Sequence, residues 1–185
     1  MSAMAMVLPR EADLSLRAAR DFVRPRVLWP PEPEDGSPIA VLVWDGESAL
    51  EAANALCLHA GAIVLALQTG ALDLATIAIE WVGDHAQLLG GDPDRLTVAG
   101  GGLAARAALH ARDEGWPPLA RQLLIGPQDD TWPGDDVSLV GAAPATVVEA
   151  PGYAARLRAA DLEVEELSDS EPWGFAWAAP LIASS

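Results

Sequence analysis

The sequence DPDRLTVAGGG, residues Asp92 to Gly102, decides how this chain folds. Its apolar run Arg95–Ala99 has a β-branched centre and the length of a buried strand. Three glycines then turn the chain, and the alanine-rich segment Leu103–Asp113 that follows has a strong helix propensity. The stretch therefore predicts a strand, a tight turn and a helix in direct succession.

The same alternation of strands and helices extends along most of the chain. The predicted strands are short apolar runs, as expected for parallel strands that are covered on both faces. They lie at Ile39–Trp44, Ala62–Leu67, Arg95–Ala99, Arg121–Ile125, Ala145–Glu149 and Leu162–Leu167. The predicted helices lie at Glu47–Ala60, Leu72–Leu89, Leu103–Asp113 and Tyr153–Ala160. This order predicts an α/β protein with a doubly wound, mostly parallel sheet of about six core strands flanked by helices.

Residues 1–25 are predicted to form a separate N-terminal helical segment. Leu14, Ala18 and Phe22 repeat at the spacing of one helix face, which predicts an amphipathic helix over Glu11–Val23 that ends before Pro25. Residues 26–185 are predicted to form a single domain, because a chain of 185 residues has the usual length of one domain.

Composition limits the classes of function. The formal net charge of −16 argues against binding to nucleic acid or to anionic membrane surfaces. No apolar run reaches the roughly 18 residues of a membrane span, and no signal-peptide pattern opens the chain. The lone Cys57 cannot form an internal disulfide, so we expect a cytoplasmic protein. Cofactor motifs and metal-ligand spacings are missing from the sequence, and we expect neither a cofactor nor a metal.

The segment from Leu88 to Gly100 resembles the approach to the nucleophile in the hormone-sensitive-lipase-like family of α/β hydrolases. In that family the turn continues as G-D-S-A-G-G, whereas here it is GGGLAA over Gly100–Ala105. The resemblance implies an α/β-hydrolase fold with Gly102 at the position of the nucleophilic serine. Because glycine has no side chain, an acyl-enzyme cannot form there by the usual route.

The resemblance implies that other parts of the family's site are altered as well. The oxyanion-hole loop H-G-G-G corresponds to Trp44–Glu47, in which only Gly46 is retained, while Asp45 and Glu47 introduce negative charge. The family's catalytic histidine corresponds to Trp173, and the segment that carries the catalytic acid is missing after the Ala145–Glu149 strand. The connection Pro127–Ala143 is too short for the family's helical lid. The resemblance therefore implies a degenerate member without the catalytic triad and with a reduced or absent lid.

The leading functional hypothesis is a catalytically inactive homologue that acts by binding a protein partner or a second copy of itself. The candidate pocket consists of the residues at the altered positions: Trp44, Asp45, Gly46, Glu47, Gly101, Gly102, Leu103 and Trp173. One alternative is a sensor for a small apolar ligand in a pocket shaped by Trp44 and Trp173. Another is a non-hydrolytic enzyme, such as an isomerase, cyclase or lyase, that uses Asp45 or Glu47 as a base.

Overall fold

The computed structural model describes residues 9–17, 22–44, 49–126 and 131–167. The strands are β1 (Arg10–Asp13), β2 (Leu16–Arg17), β3 (Phe22–Val23), β4 (Arg26–Trp29), β5 (Ser37–Trp44), β6 (Ile63–Gln68), β7 (Gly91–Gly100), β8 (Arg121–Ile125), β9 (Ala145–Val148) and β10 (Val164–Leu167). The helices are α1 (Ala49–Ala60), α2 (Leu72–Leu89), α3 (Gly102–Glu114) and α4 (Pro151–Ala159). Strands and helices alternate from β5 to β8 and again from β9 to β10, as the sequence predicted.

Eight of these strands form one mostly parallel sheet in the order β1-β4-β6-β5-β7-β8-β9-β10. The strands from β6 to β10 in this order are parallel, whereas β4 runs antiparallel to β6 and β1 antiparallel to β4. The prediction of a doubly wound, mostly parallel sheet is therefore confirmed. The sheet is wider than the predicted six strands because β1 and β4 extend it on one side.

The predicted helix over Glu11–Val23 is wrong. Residues 10–13 instead form β1, which pairs with β4, and Arg26 on β4 donates hydrogen bonds to the carboxylates of Asp13 at 3.2 Å and Glu11 at 3.3 Å. The strands β2 and β3 form a separate two-stranded ribbon. Pairing with an available sheet edge outweighs a helix preference of a few tenths of a kcal/mol per residue.

The core consists of two apolar layers, one on each face of the sheet. Alternate residues of β5 divide between them: Val41 packs toward α2, α3 and α4, while Leu42 packs toward α1. The helices α1 and α3 present mainly alanines to the sheet, which allows close approach. Among the described helices, none is long and apolar enough to span a membrane.

The connection between β8 and β9 carries no helix in its described part. Residues 131–144 form turns and bends, and Trp132, Leu139 and Ala142 bury their side chains against the core. This part of the chain therefore agrees with the predicted reduction of the lid.

Cys57 on α1 is buried in the second layer, and burial raises the pKa of its thiol from 9.0 to about 12. The folded state therefore favours the neutral thiol, while the unfolded chain ionises it from about pH 9. We expect this contribution to stability to be complete below pH 9 and to be lost as the pH rises toward 12, by about 2–3 kcal/mol at pH 11. Urea unfolding at pH 8 and pH 11 measures the difference. The Cys57→Ala variant should be less stable than the wild type at both pH values, but its stability should fall less between pH 8 and pH 11. An equal fall in the two proteins would mean that Cys57 is not the group responsible.

Candidate functional site

The turn between β7 and α3 requires glycine at position 100. Gly100 has a φ of 142°, and a β-carbon there would overlap the carbonyl oxygen of Val43 at the end of β5. Gly101 follows with a φ of −88°, and its carbonyl oxygen accepts a hydrogen bond from the Ala105 amide at 3.1 Å, which starts α3. The ends of β5 and β7 therefore approach each other closely, and α3 begins directly at Gly102.

Gly102 lies against the backbone of the connection between β8 and β9. A β-carbon on Gly102 would lie 2.5 Å from both the Thr131 carbonyl carbon and the Trp132 amide nitrogen. Its φ is not positive, unlike that of Gly100. In a nucleophile elbow the serine occupies a strained turn that exposes its hydroxyl above the sheet. Here Thr131 and Trp132 occupy the space that a side chain at position 102 requires.

Beside this contact, a cavity of about 240 Å³ opens at the carboxyl ends of four parallel strands. This is where open α/β sheets place their ligands. The cavity is lined by Val43, Trp44, Thr69, Gly70, Gly101, Gly102, Leu103, Arg106, Ile125, Gly126, Thr131 and Trp132. The site thus combines aromatic and aliphatic walls with a few polar groups, as small-molecule sites do.

The polar groups of the cavity are two threonine hydroxyls, backbone groups and one arginine. Thr69 is buried, and its hydroxyl oxygen accepts a hydrogen bond from the Ala71 amide at 3.1 Å. Arg106, one turn into α3, is exposed and is the one charged side chain among the lining residues. Within the described ranges, no three His, Cys, Asp or Glu side chains are grouped as metal ligands would be.

Trp132 forms one wall of the cavity and packs against Tyr153 of α4. Trp132 is 5% exposed, and the two ring centroids are 4.9 Å apart with the planes tilted by 60°. The Tyr153 hydroxyl is buried without a hydrogen-bond partner among the residues that the structure describes. Burial raises its pKa to about 12, although the positive charges of Arg156 and Arg112 act in the opposite direction. Tyr153 is therefore an uncharged support for Trp132.

The first residue after β9 is Glu149, and the family's catalytic acid was expected to be missing from this region. Glu149 has a φ of 63°, in the left-handed region that side chains rarely adopt. It is exposed and does not line the cavity. The structure thus brings no carboxylate from this strand end into the cavity.

Four of the sequence-predicted site residues, Trp44, Gly101, Gly102 and Leu103, come together around the cavity. The other four, Asp45, Gly46, Glu47 and Trp173, lie outside the described residues. Trp44 lines the cavity without filling it.

Sequence reasoning did not assign the remaining lining residues to the site, and they belong to three parts of the fold: strand ends, the helix α3 and an irregular loop. Thr69, Gly70 and Gly126 directly follow β6 and β8, so the rule that sites lie beyond strand ends would have found them. Arg106 would have been found from its position one turn into α3, because helical side chains point toward the helix N-terminus. The contact of Trp132 with this site depends on the path of an irregular loop and had no local signal.

An open, mostly parallel eight-stranded sheet with helices on both faces, and a pocket at the glycine turn after β7, defines an α/β-hydrolase fold. Residues 69–146 match a family model described as alpha/beta hydrolase fold. A carboxylesterase of Mycobacterium tuberculosis, NlhH, is 37% identical over 122 residues, which cover 55% of this chain and 38% of that protein. The esterase LipI of the same organism is 30% identical over 168 residues, which cover 79% of this chain and 52% of LipI.

Solved structures agree on the fold. An esterase from Pyrobaculum calidifontis superimposes with a TM-score of 0.80 at 20% identity, covering 95% of this chain and 85% of that chain. The chain spans only about two fifths to one half of the length of the curated relatives that it matches. Together the matches show that this chain is similar to esterases with the α/β-hydrolase fold.

Proposed function

We propose that this chain is a binding protein derived from an α/β hydrolase, which holds a small molecule at the former active site without hydrolysing it. The observation that carries the proposal is the contact of Gly102 with Thr131 and Trp132. This contact leaves no room for a nucleophilic side chain at position 102, where the resemblance implies a serine, while the adjoining cavity is open in the described part of the chain. A site without a nucleophile but with an open pocket can bind a ligand and cannot form an acyl-enzyme.

The lining residues limit the chemistry of the ligand. Trp44, Leu103 and Trp132 favour an apolar or aromatic body, and the hydroxyls of Thr69 and Thr131 favour one or two polar groups on it. A cavity of about 240 Å³ holds a molecule of about ten non-hydrogen atoms. The names of the relatives, carboxylesterase and esterase, support an ester-like or amide-like shape.

The structure gives less support to a protein partner. The two edge strands of the described sheet are charged: β1 carries Arg10, Glu11 and Asp13, and β10 carries Glu165 and Glu166. Charged edge strands disfavour pairing with a strand from another chain. A protein partner, self-association, a cytoplasmic location and a base at Asp45 or Glu47 all stay predictions.

Proton NMR of the intact chain with phenyl acetate tests binding and hydrolysis in one experiment. We expect the indole N–H resonances of Trp44 and Trp132 to shift on titration, while those of the distant Trp29 and Trp81 stay constant. The ester signals should decay no faster than in buffer alone. Phenyl acetate is the probe because its aromatic body and single ester group match the size and lining of the pocket.

Each other outcome contradicts a stated part of the proposal. Release of phenol in proportion to protein concentration, abolished by a serine-directed inhibitor, would show that the site hydrolyses esters. Unchanged Trp44 and Trp132 resonances up to millimolar ester would remove the small-ligand function and favour the protein-partner prediction. A Trp44→Ala variant, which removes one wall, should show a weaker response of Trp132 and serves as the control for the location of the site.

A further inference from the structure

The loop of residues 131–142, which borders the cavity, is held by a guanidinium group from α4. Arg156 donates hydrogen bonds from Nη1 to the Pro133 carbonyl at 2.6 Å and from Nη2 to the Gly134 carbonyl at 2.5 Å. Its side chain is 22% exposed, and its ion pair with the exposed Asp135 is the weaker contact. The Gly134 carbonyl also accepts a hydrogen bond from the Val137 amide at 3.1 Å, and farther along the loop Arg112 of α3 donates to the Ser138 carbonyl at 2.8 Å and the Val140 carbonyl at 3.1 Å. Arg156 therefore holds the part of the loop that directly follows Trp132.

The clamped carbonyls lie one and two residues beyond Trp132. A second connection passes through Tyr153, because the Arg156 guanidinium lies 5.6 Å from the Tyr153 ring centroid and that ring packs on Trp132 at 4.9 Å. Arg156 is therefore connected to Trp132 indirectly, once through the loop backbone and once through the Tyr153 ring. Displacing this side chain removes the hydrogen bonds to the backbone that follows Trp132 and the cation that packs on the Tyr153 ring.

Trp132 separates two cavities. One is the candidate pocket of about 240 Å³, and the other is a depression of about 450 Å³ between α3 and the loop. Trp132 and Arg106 line both, while Leu109 and Val137 belong to the depression alone. A shift of Trp132 away from α3 would join the two spaces into one elongated cleft.

We infer that Arg156 is a positioning residue for ligand specificity: by fixing Trp132 as a partition, it restricts the pocket to compact ligands and excludes elongated ones. This inference rests on the proposed function of the pocket. Arg156 does not touch the ligand, and it acts through Trp132. The ligands that it excludes are those with an aliphatic extension, which would reach the apolar part of the depression at Leu109 and Val137.

The test compares the dissociation constants of two amides, acetanilide and its longer analogue 4-butylacetanilide, by NMR titration of the intact chain. In the wild type we expect acetanilide to bind more tightly. In Arg156→Ala the ratio of the two constants should change by at least tenfold in favour of the longer amide. The matched control is Arg158→Ala, because Arg158 lies on the same helix but pairs with Glu166 at 2.7 Å, away from the loop. An unchanged ratio in Arg156→Ala, or an equal change in Arg158→Ala, would overturn the inference.

A double-mutant cycle tests, without any ligand, whether Arg156 holds the loop in place. Gly102→Ala places a β-carbon against Thr131 and Trp132, so a loosened loop should tolerate it better. We expect the factor by which Gly102→Ala lowers the folding equilibrium constant to be at least threefold smaller in the Arg156→Ala background than in the wild type. The Arg158→Ala background should leave the factor unchanged. If the effects of the substitutions are additive in both backgrounds, Arg156 does not hold the loop against Gly102. If Arg156→Ala does not fold, Arg156→Lys takes its place, since lysine keeps the charge but lacks the planar fork.

The two experiments separate the possible failures. If neither amide binds to the wild type, the proposed function fails, and the double-mutant cycle still decides whether Arg156 positions the loop. If acetanilide binds and only the ratio is insensitive to Arg156, the proposed function stands and the specificity role is wrong.

Discussion

Gly100→Ala should destabilise the protein by about 3 kcal/mol or more, the largest effect that we expect from a single added methyl group. Two costs combine at this position. A φ of 142° is open to glycine alone, and the new β-carbon would overlap the Val43 carbonyl oxygen. Both obstacles are backbone atoms or backbone angles, so side-chain rearrangement cannot relieve them. Equilibrium unfolding in urea, followed by circular dichroism, measures the loss.

The neighbouring residue provides a matched control for Gly100→Ala. Gly101 has a φ of −88°, and a β-carbon there would meet only the Ile125 carbonyl oxygen, at an ordinary contact distance of 3.4 Å. We expect Gly101→Ala to change the free energy of unfolding by less than about 1 kcal/mol. Equal losses in the two variants would mean that the turn between β7 and α3 is not built as described.

Gly102→Ser, which introduces the residue type that the resemblance places at this position, should lower the free energy of unfolding by about 1–3 kcal/mol and should not create esterase activity. The added side chain must displace Thr131 and Trp132, which occupy its space. A hydroxyl becomes a nucleophile only beside a positioned base, and none of the described cavity-lining side chains is a histidine or a carboxylate. Urea unfolding and phenyl acetate hydrolysis measure the two parts of this prediction.

The control for this substitution is Gly101→Ser, which adds the same hydroxyl one residue earlier, where the backbone has room. It should be more stable than Gly102→Ser and equally inactive. Turnover of phenyl acetate by Gly102→Ser above the rate of Gly101→Ser would show that the site has kept a working base. A free energy of unfolding of Gly102→Ser equal to that of the wild type would show that the loop can move to make room for a side chain at this position.

The sheet from β5 onward could be predicted because its strands are continuous apolar runs and its helices keep a clear period. The predicted bounds of α2 (Leu72–Leu89) and β8 (Arg121–Ile125) are the same as those in the structure. The segment of Glu11–Val23 could not be predicted in the same way. Its apolar residues fit a helix face, but its pairing with β4 depends on residues at Arg26–Trp29 that only the fold brings alongside.

The site could be predicted where it follows from strand ends and not where it depends on a loop. Gly101, Gly102 and Leu103 were found from the turn after β7, and Trp44 from the end of β5. Trp132 and the arginine that holds its loop are 30 and 54 residues beyond Gly102 in the sequence. No periodicity or motif connects them, because irregular loops take their path from tertiary contacts alone.

The central claim, that no serine nucleophile operates at the glycine turn, is tested most directly by the intact mass of the folded chain after incubation with a fluorophosphonate. This class of reagent forms a covalent adduct with an activated serine. We expect an unmodified mass of 19.3 kDa at reagent concentrations that label an active esterase completely. One adduct per chain, lost when the protein is denatured before labelling, would contradict it.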